Sequence, residues 1–221
     1  MIKAIIFDFD YTLGDSTNGI VLCVNYALEQ LGLDKKGTEE IRKTVGLSLK
    51  DTYRALTMRQ SEEEAVQFST HFKEKADFVM VENTALYHGV KDLLQKLRQE
   101  GYQIGIVTTK FRFRIVQILE KFQAADLVDL IVGAEDVKIE KPNPEGLLWA
   151  IDKFGLTKQE VLYVGDSLVD ARTAENAQVN FAGVLTGTTT TEDFGRYPSV
   201  FIGDTVNDLC SFLNCGVYQV K

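Results

Sequence analysis

The chain has little of several things that would declare a function. In 221 residues cysteine occurs 3 times, proline 3 times, histidine twice and tryptophan once. The cysteines, Cys23, Cys210 and Cys215, are odd in number and lack zinc-ligand spacing. They build neither a disulfide framework nor a zinc finger, and buried reduced thiols are expected. A cysteine-dependent phosphatase would need arginine six residues after its nucleophile, where Glu29, Gly216 and Lys221 stand instead. Two histidines, His71 within a helical stretch and His88 in a loop, supply neither a His-based triad nor a His-rich metal site. Both are expected to be structural. Positive charge is scarce too, with 24 basic against 32 acidic residues and a net charge of −8. A nucleic-acid footprint would be basic and clustered, so no nucleic-acid partner is expected. No apolar run approaches the ~20 residues that span a bilayer, so no membrane span is expected. Asp8 and Asp10 lie inside the first ten residues, where no secretory apolar region would tolerate them, and a cytoplasmic setting is the expectation. GxxxxGK and GxGxxG are both missing, which removes the P-loop and the dinucleotide fingerprint. The sequence says nothing of oligomeric state.

What is present is ordinary for a soluble globular protein, with 45% hydrophobic residues, 25% charged residues and 17 glycines. The length allows one large α/β domain or a domain with an insertion. Ile5-Ile6-Phe7 reads as a buried strand running into Asp8-Phe9-Asp10. From about Asp15 the period becomes helical, with Ile20, Val21, Val24, Ala27, Leu28 and Leu31 on one face, Asp15 or Ser16 as cap and Gly32 as stop. Thr38 is read as the cap of a short helix to Val45, a third helix spans Ser48 to Met58, and the Ser61–Glu64 capping box opens a fourth to about Val81. Residues 15–83 therefore read as helix throughout, with no strand signal.

Beyond Tyr87-His88-Gly89, strands near Ile104–Val107, Leu130–Val132, Val161–Val164, Phe181–Val184 and Val200–Ile202 alternate with helices. The expected fold class is α/β, a doubly wound parallel sheet with a Rossmann-like core and an inserted helical cap domain. Residues 1–14 and 84–221 would form the core and 15–83 the cap.

Four strand ends carry chemistry-bearing residues. In extended backbone Asp8 and Asp10 point the same way while Phe9 enters the core, and open parallel sheets bind ligands beyond the carboxyl ends of their strands. Two carboxylates held there repel by about 3 kcal/mol at ~5 Å and an effective dielectric of ~20, which calls for a cation or a shared proton. Gly165-Asp166-Ser167-Leu168-Val169-Asp170 lies at another strand end. Asp166 and Asp170 with Asp8 form an oxygen-rich set of the kind Mg²⁺ prefers, although Asp170 also reads as a first-turn helix acid. Thr108 ends a strand, and Lys141 sits in Lys141-Pro142-Asn143-Pro144. A hydroxyl and an ammonium can both hold phosphate oxygens. Gly203-Asp204-Thr205-Val206-Asn207-Asp208 repeats the acidic pattern, but Asp204 lies 63 residues past Lys141 against 25 for Asp166, so Asp204 is read as a turn or helix cap.

In this order, the DxDxT of Asp8–Thr12, the Ile104–Thr108 strand end, Lys141 of KPNP and the GDSLVD of 165–170 resemble the haloacid dehalogenase superfamily. The resemblance covers nearly the whole chain. The helical insertion after the first motif is similar to the phosphoglycolate-phosphatase-like branch, as are Tyr87-His88-Gly89-Val90 and Val107-Thr108-Thr109-Lys110. Tyr11 replaces a usual glycine, His88 a usual proline and Thr109 a usual asparagine. These changes leave the chemistry intact and the substrate open.

The resemblance implies a phosphatase for a small phosphomonoester metabolite. Asp8 would be the nucleophile and Asp10 the general acid and base. Thr108, Thr109 and Lys141 would hold phosphoryl oxygens. Mg²⁺ would lie among Asp8, the Asp10 carbonyl and Asp166, with Asp170 as a further ligand. Four carboxylates against three positive charges leave one negative charge in excess, so one protonated carboxyl is expected, and Asp10, as the acid, is the natural one. Arg42, Lys43, Lys50 and Lys110 are candidates for a second anionic group on the substrate. The cap would close on hinges near 14–16 and 82–88. A sugar-phosphate phosphomutase of the same fold and a non-catalytic phosphometabolite-binding module remain open alternatives.

Overall fold

The computed structural model describes residues 1–213. In chain order, β1 (Ala4–Phe7) and β2 (Gly14–Asp15) precede four helices, α1 (Thr17–Gln30), α2 (Thr38–Arg42), α3 (Leu49–Thr57) and α4 (Glu62–Val79). There follow β3 (Ala85–Leu86), α5 (Val90–Gln99), β4 (Gln103–Val107), α6 (Arg112–Lys121), β5 (Leu130–Val132), α7 (Glu145–Phe154), β6 (Val161–Gly165) and α8 (Leu168–Ala177). β7 (Asn180–Val184), α9 (Thr191–Phe194), β8 (Phe201–Gly203) and α10 (Leu209–Phe212) complete the described chain.

β1 is the axis of the fold. All four of its residues are buried, and it pairs in parallel with β4 on one side and β6 on the other. The six-stranded sheet has the order β5-β4-β1-β6-β7-β8, parallel throughout. Alternation along β1 sends Ile5 and Phe7 to one face, where Leu93, Leu97, Ile115 and Ile118 of α5 and α6 cover them. Ala4 and Ile6 go to the other, against Leu147, Ala150 and Ala171 of α7 and α8. Burial on both faces explains the unbroken apolar runs, and the expected doubly wound parallel sheet with an inserted helical segment is what forms.

The helical segment has a core of its own, with Val24, Leu28, Ile41, Tyr53, Phe68 and Phe72 packed together. Ser48 caps α3 by accepting from Asp51 N–H at 3.1 Å, as its position predicts. Only half of the capping box at α4 forms. Ser61 accepts from Glu64 N–H, but the Glu64 carboxylate is taken by the Tyr53 hydroxyl and by Arg59.

Three local expectations are corrected. Thr38 is the first helical residue of α2; the cap is Gly37, whose N–H is met by the Glu40 carboxylate. Ser16 stands at the cap position of α1 without capping it; its hydroxyl turns inward to Lys110 and Thr84, while Asp15 accepts from Thr17 N–H. The α2 helix also ends at Arg42 rather than running to Val45, and at the edges of the segment Gly14–Asp15 and Ala85–Leu86 pair as an antiparallel ribbon where the chain leaves and rejoins the sheet. Two residues per strand carry no readable period.

Phe68 lies fully buried against Tyr53 and Phe72, with ring centroids 5.6 and 6.4 Å away. Phe68→Ala is expected to cost about 3–5 kcal/mol in urea unfolding. A loss below ~1 kcal/mol would contradict this packing.

Candidate active site

Because β4, β1 and β6 are neighbours, Thr108, Asp8 and Asp166 emerge side by side at the carboxyl end of the sheet. Asp8 N–H still extends the ladder, donating to the Val164 carbonyl at 2.8 Å, and Thr108 N–H donates to the Val132 carbonyl at 3.0 Å. After Asp8 the chain coils tightly. The Phe9 carbonyl accepts from the N–H groups of Thr12, Leu13 and Gly14, and Tyr11 is held at φ 60°. A positive φ is uncommon for a bulky residue. Here Tyr11 is locked by its N–H to the Gly14 carbonyl, by its hydroxyl to Thr17 at 2.9 Å, and by Thr186 Oγ1 donating to its carbonyl.

Lys141 precedes α7 and sends a buried ammonium into the centre of the acids. Its Nζ lies 2.8 Å from Asp8 Oδ1, 2.6 Å from Asp170 Oδ1 and 3.1 Å from the Tyr163 hydroxyl. Burial alone would favour the neutral amine, but Asp170 and Asp8 outweigh it and hold Lys141 firmly charged. Asp170 is fully engaged. Its Oδ1 receives Lys141 and Tyr163, and its Oδ2 receives the Ser167 hydroxyl at 2.5 Å and Ser167 N–H at 3.2 Å. It is thus both a first-turn acid of α8 and a member of the cluster.

Asp166 accepts from Thr12 Oγ1 at 3.1 Å, and the main chain at Gly187 lies so close that a Cβ there would overlap Asp166 Oδ2. Asp8, Asp166 and Asp170, all buried, each offer a carboxylate oxygen within 4.8 Å of the others. Burial raises Asp8 to about 7, with Lys141 opposing and Asp170 and Asp10 adding to the shift. Asp166 is likewise pushed well up by burial, then by Asp170 and Asp8. Three hard oxygens with more negative charge than one lysine offsets fit a divalent cation of the Mg²⁺ type.

Asp10 has a different partner. Its Oδ2 pairs with the buried Lys110 Nζ at 3.0 Å, while its Oδ1 is buried without a hydrogen-bond partner. Lys110, a candidate for a second anionic group on the substrate, turns onto Asp10 in the structure. Of the other three, Arg42 stacks over the Tyr11 ring at 5.4 Å and pairs with Glu39, Lys50 pairs with Glu62 at 2.5 Å, and Lys43 is exposed. Thr108 Oγ1 accepts from Lys110 N–H, and Thr109 lines two openings between the sheet end and the helical segment. One is a cavity of about 70 Å³ bounded by Asp10, Lys110, Leu47 and Phe72. The other is a cleft of about 490 Å³ reaching Lys141 past Lys50, Lys73 and Lys138.

Three participants have no role that the sequence alone assigns. Thr12 lies in the first motif, whereas Tyr163 and Gly187 carry no local signal. Asp204 is exposed and caps nothing; Thr205 and Asp208 close that turn. His71 pairs with Glu74, and the His88 carbonyl accepts from Asn207, so both stay outside the cluster. Cys23 is buried, its thiol pushed up to about 12 by burial, and Cys210 is half-buried; Cys215 lies outside the described residues.

The raised carboxyls have a stability consequence. A carboxyl displaced upward on folding contributes stability below its ordinary value of 3.8 and loses it as pH rises, for Asp8 through about 7. The metal-free protein is therefore expected to lose melting temperature from this source between about pH 4 and 8. A divalent cation binds the ionised acids, so Mg²⁺ should raise the melting temperature more at pH 8 than at pH 5. Thermal unfolding with and without Mg²⁺ at both pH values checks this, and a larger gain at pH 5 would contradict it.

Known proteins are similar to this chain over most of its length. A phosphoglycolate phosphatase from Aliivibrio fischeri is 32% identical over 190 residues, covering 80% of this chain and 81% of that one. Pyrophosphatase PpaX from Listeria welshimeri is 27% identical over 213 residues, 96% of each chain. A solved chain from Bacteroides fragilis, assigned as a haloacid dehalogenase-like hydrolase, superposes with a TM-score of 0.92 at 41% identity, covering 95% of this chain and 100% of that one. The family profile described as haloacid dehalogenase-like hydrolase matches residues 5–184. With the sheet, the ordered strand-end motifs and the profile in agreement, the chain belongs to the haloacid dehalogenase-like hydrolases.

Proposed function

We propose that this chain is a Mg²⁺-dependent phosphatase that hydrolyses a small phosphomonoester through an aspartyl-phosphate on Asp8. The observation that carries this reading is the buried pairing of Asp8 with Lys141, next to an Asp10 oxygen with no partner. A carboxylate steered by an ammonium, beside a second carboxyl free to move a proton, is the equipment for two-step phosphoryl transfer.

In the first step an Asp8 carboxylate oxygen attacks phosphorus, and the bond from phosphorus to the ester oxygen breaks. Asp10 donates its proton to that departing oxygen. In the second step Asp10 takes a proton from water, the water oxygen bonds to phosphorus, and the bond to Asp8 breaks to release phosphate. Lys141 and the hydroxyls of Thr108 and Thr109 hold phosphoryl oxygens through both steps. Mg²⁺ held by Asp8, the Asp10 carbonyl, Asp166 and Asp170 would supply charge neutralisation for the phosphoryl group. With both of its oxygens engaged by protein groups, Asp170 would hold the cation through a bridging water, and it also orients Lys141.

Residues 15–83 act as a cap over a core of 1–14 and 84–221, closing on the ribbon between β2 and β3 to exclude water. The free thiols Cys23 and Cys210 suit a cytoplasmic setting. Among the described residues no helix is long and apolar enough to cross a membrane.

The test is phosphate release from a panel of small phosphate compounds, including 2-phosphoglycolate and pyrophosphate, with Mg²⁺ and with chelator. Release should require the metal, fall to background in Asp8→Asn, and fall by about 10²–10⁴-fold in Asp10→Asn. Release that survives Asp8→Asn contradicts the reading. Isomer without phosphate would make the protein a phosphomutase.

A further inference from the structure

Lys110 is the second buried lysine of the site, and the phosphatase steps above leave it without a task. Its main chain is fixed to the core, with N–H donated to Thr108 Oγ1 at 3.2 Å and its carbonyl accepting from Ala134 at 3.1 Å. Its ammonium lies 3.0 Å from Asp10 Oδ2 and 3.4 Å from Ser16 Oγ. Ser16 Oγ in turn accepts from Thr84 Oγ1 at 3.0 Å.

Ser16 and Thr84 are the residues immediately outside the paired ribbon positions Asp15 and Ala85. They sit on the two crossings between sheet and helical segment, and both are buried. A chain of three side chains therefore ties the Asp10 carboxylate to both crossings at once. It holds one carboxylate oxygen, Oδ2, and leaves the other, Oδ1, without a partner.

We propose that Lys110 is the positioning residue for Asp10. It pins Oδ2 so that Oδ1 faces the departing oxygen, and it does so in register with the crossings, because Ser16 holds the same ammonium. Asp10 is thereby set for proton transfer when the two crossings stand as they do here. A buried ammonium on a core loop, touching a carboxylate and a crossing hydroxyl, has no simpler use. A surface substrate contact would leave it exposed, and a purely structural ion pair would not leave the second Asp10 oxygen buried without a hydrogen-bond partner beside the cavity that Asp10 lines. This inference rests on the proposed role of Asp10.

The experiment compares two substrates that differ in their need for a proton. Alkyl phosphates have a poor leaving group and need the acid, whereas 2,4-dinitrophenyl phosphate does not. Single-turnover phosphorylation is followed in wild type, Lys110→Met, Lys110→Arg, Ser16→Ala and Asp10→Asn. Lys110→Met should slow phosphorylation by the alkyl phosphate about 10²-fold or more, with KM nearly unchanged, while the burst of dinitrophenolate changes by less than about 5-fold. Lys110→Arg should recover part of the loss, and Ser16→Ala should show the same substrate split at smaller size. Equal losses on both substrates, or a loss confined to KM, would overturn the proposal. If Asp10→Asn shows the split and neither Lys110→Met nor Ser16→Ala does, the positioning role fails alone. If Asp10→Asn shows no split, the assignment of Asp10 as acid fails with it.

Discussion

The ammonium of Lys141, held among Asp8, Asp170 and Tyr163, is the contact on which the site depends. Taking carboxylates out of water costs several kcal/mol each unless charge and hydrogen bonds are returned to them. Asp8, Asp10, Asp166 and Asp170 are all buried at one end of the sheet, and among the described residues Lys141 and Lys110 are the buried cations paired with them. The two lysines divide the acids between them, Lys141 with Asp8 and Asp170, Lys110 with Asp10. Asp166 accepts from the Thr12 hydroxyl, and burial, then Asp170 and Asp8, push its carboxyl well up. Four buried acids facing two ammoniums leave negative charge in excess, which a bound divalent cation would offset.

The fold produces this crowding through strand order. With β1 central and β4 and β6 beside it, residues more than 150 positions apart in sequence meet, as Thr12 does with Asp166. The coil around the Phe9 carbonyl turns the chain back within six residues, so Asp10 reaches the same end of the sheet before the chain departs into α1. The ribbon of β2 and β3 brings the chain home beside its point of departure. The two crossings thus stand next to Lys110, and the geometry of the helical segment and that of Asp10 share a common anchor.

The sheet, its helices and three motif-bearing strand ends, at Asp8, Thr108 and Asp166, were legible in the sequence because each rests on a local pattern. Lys141, expected at a fourth, lies instead in the loop between β5 and α7. Ile5-Ile6-Phe7 and Val161–Val164 are continuous apolar runs, and Asp166 and Asp170 follow a strand with one helical turn between them. What was not legible depends on partners far apart in the chain. Nothing near Lys110 marks it as bound for Asp10, since the pairing needs β4 to lie beside β1. Tyr163 reads as one more apolar strand residue until Lys141 is found beneath it. The Gly37 cap and the half-formed box at Ser61 show the same limit at small scale, for the Glu40 carboxylate accepts from Gly37 N–H one residue before the expected cap, and Tyr53 draws Glu64 away from Ser61.

In the proposed mechanism Asp8 becomes covalently phosphorylated during turnover. The decisive experiment is acid-quenching of the enzyme at steady state with an alkyl phosphate, followed by mass spectrometry of its peptides. One phosphoryl group is expected on the peptide bearing Asp8, absent without Mg²⁺ and lost in hydroxylamine. Continued phosphate release from a protein that carries no phosphoryl group, or carries it elsewhere, would contradict it.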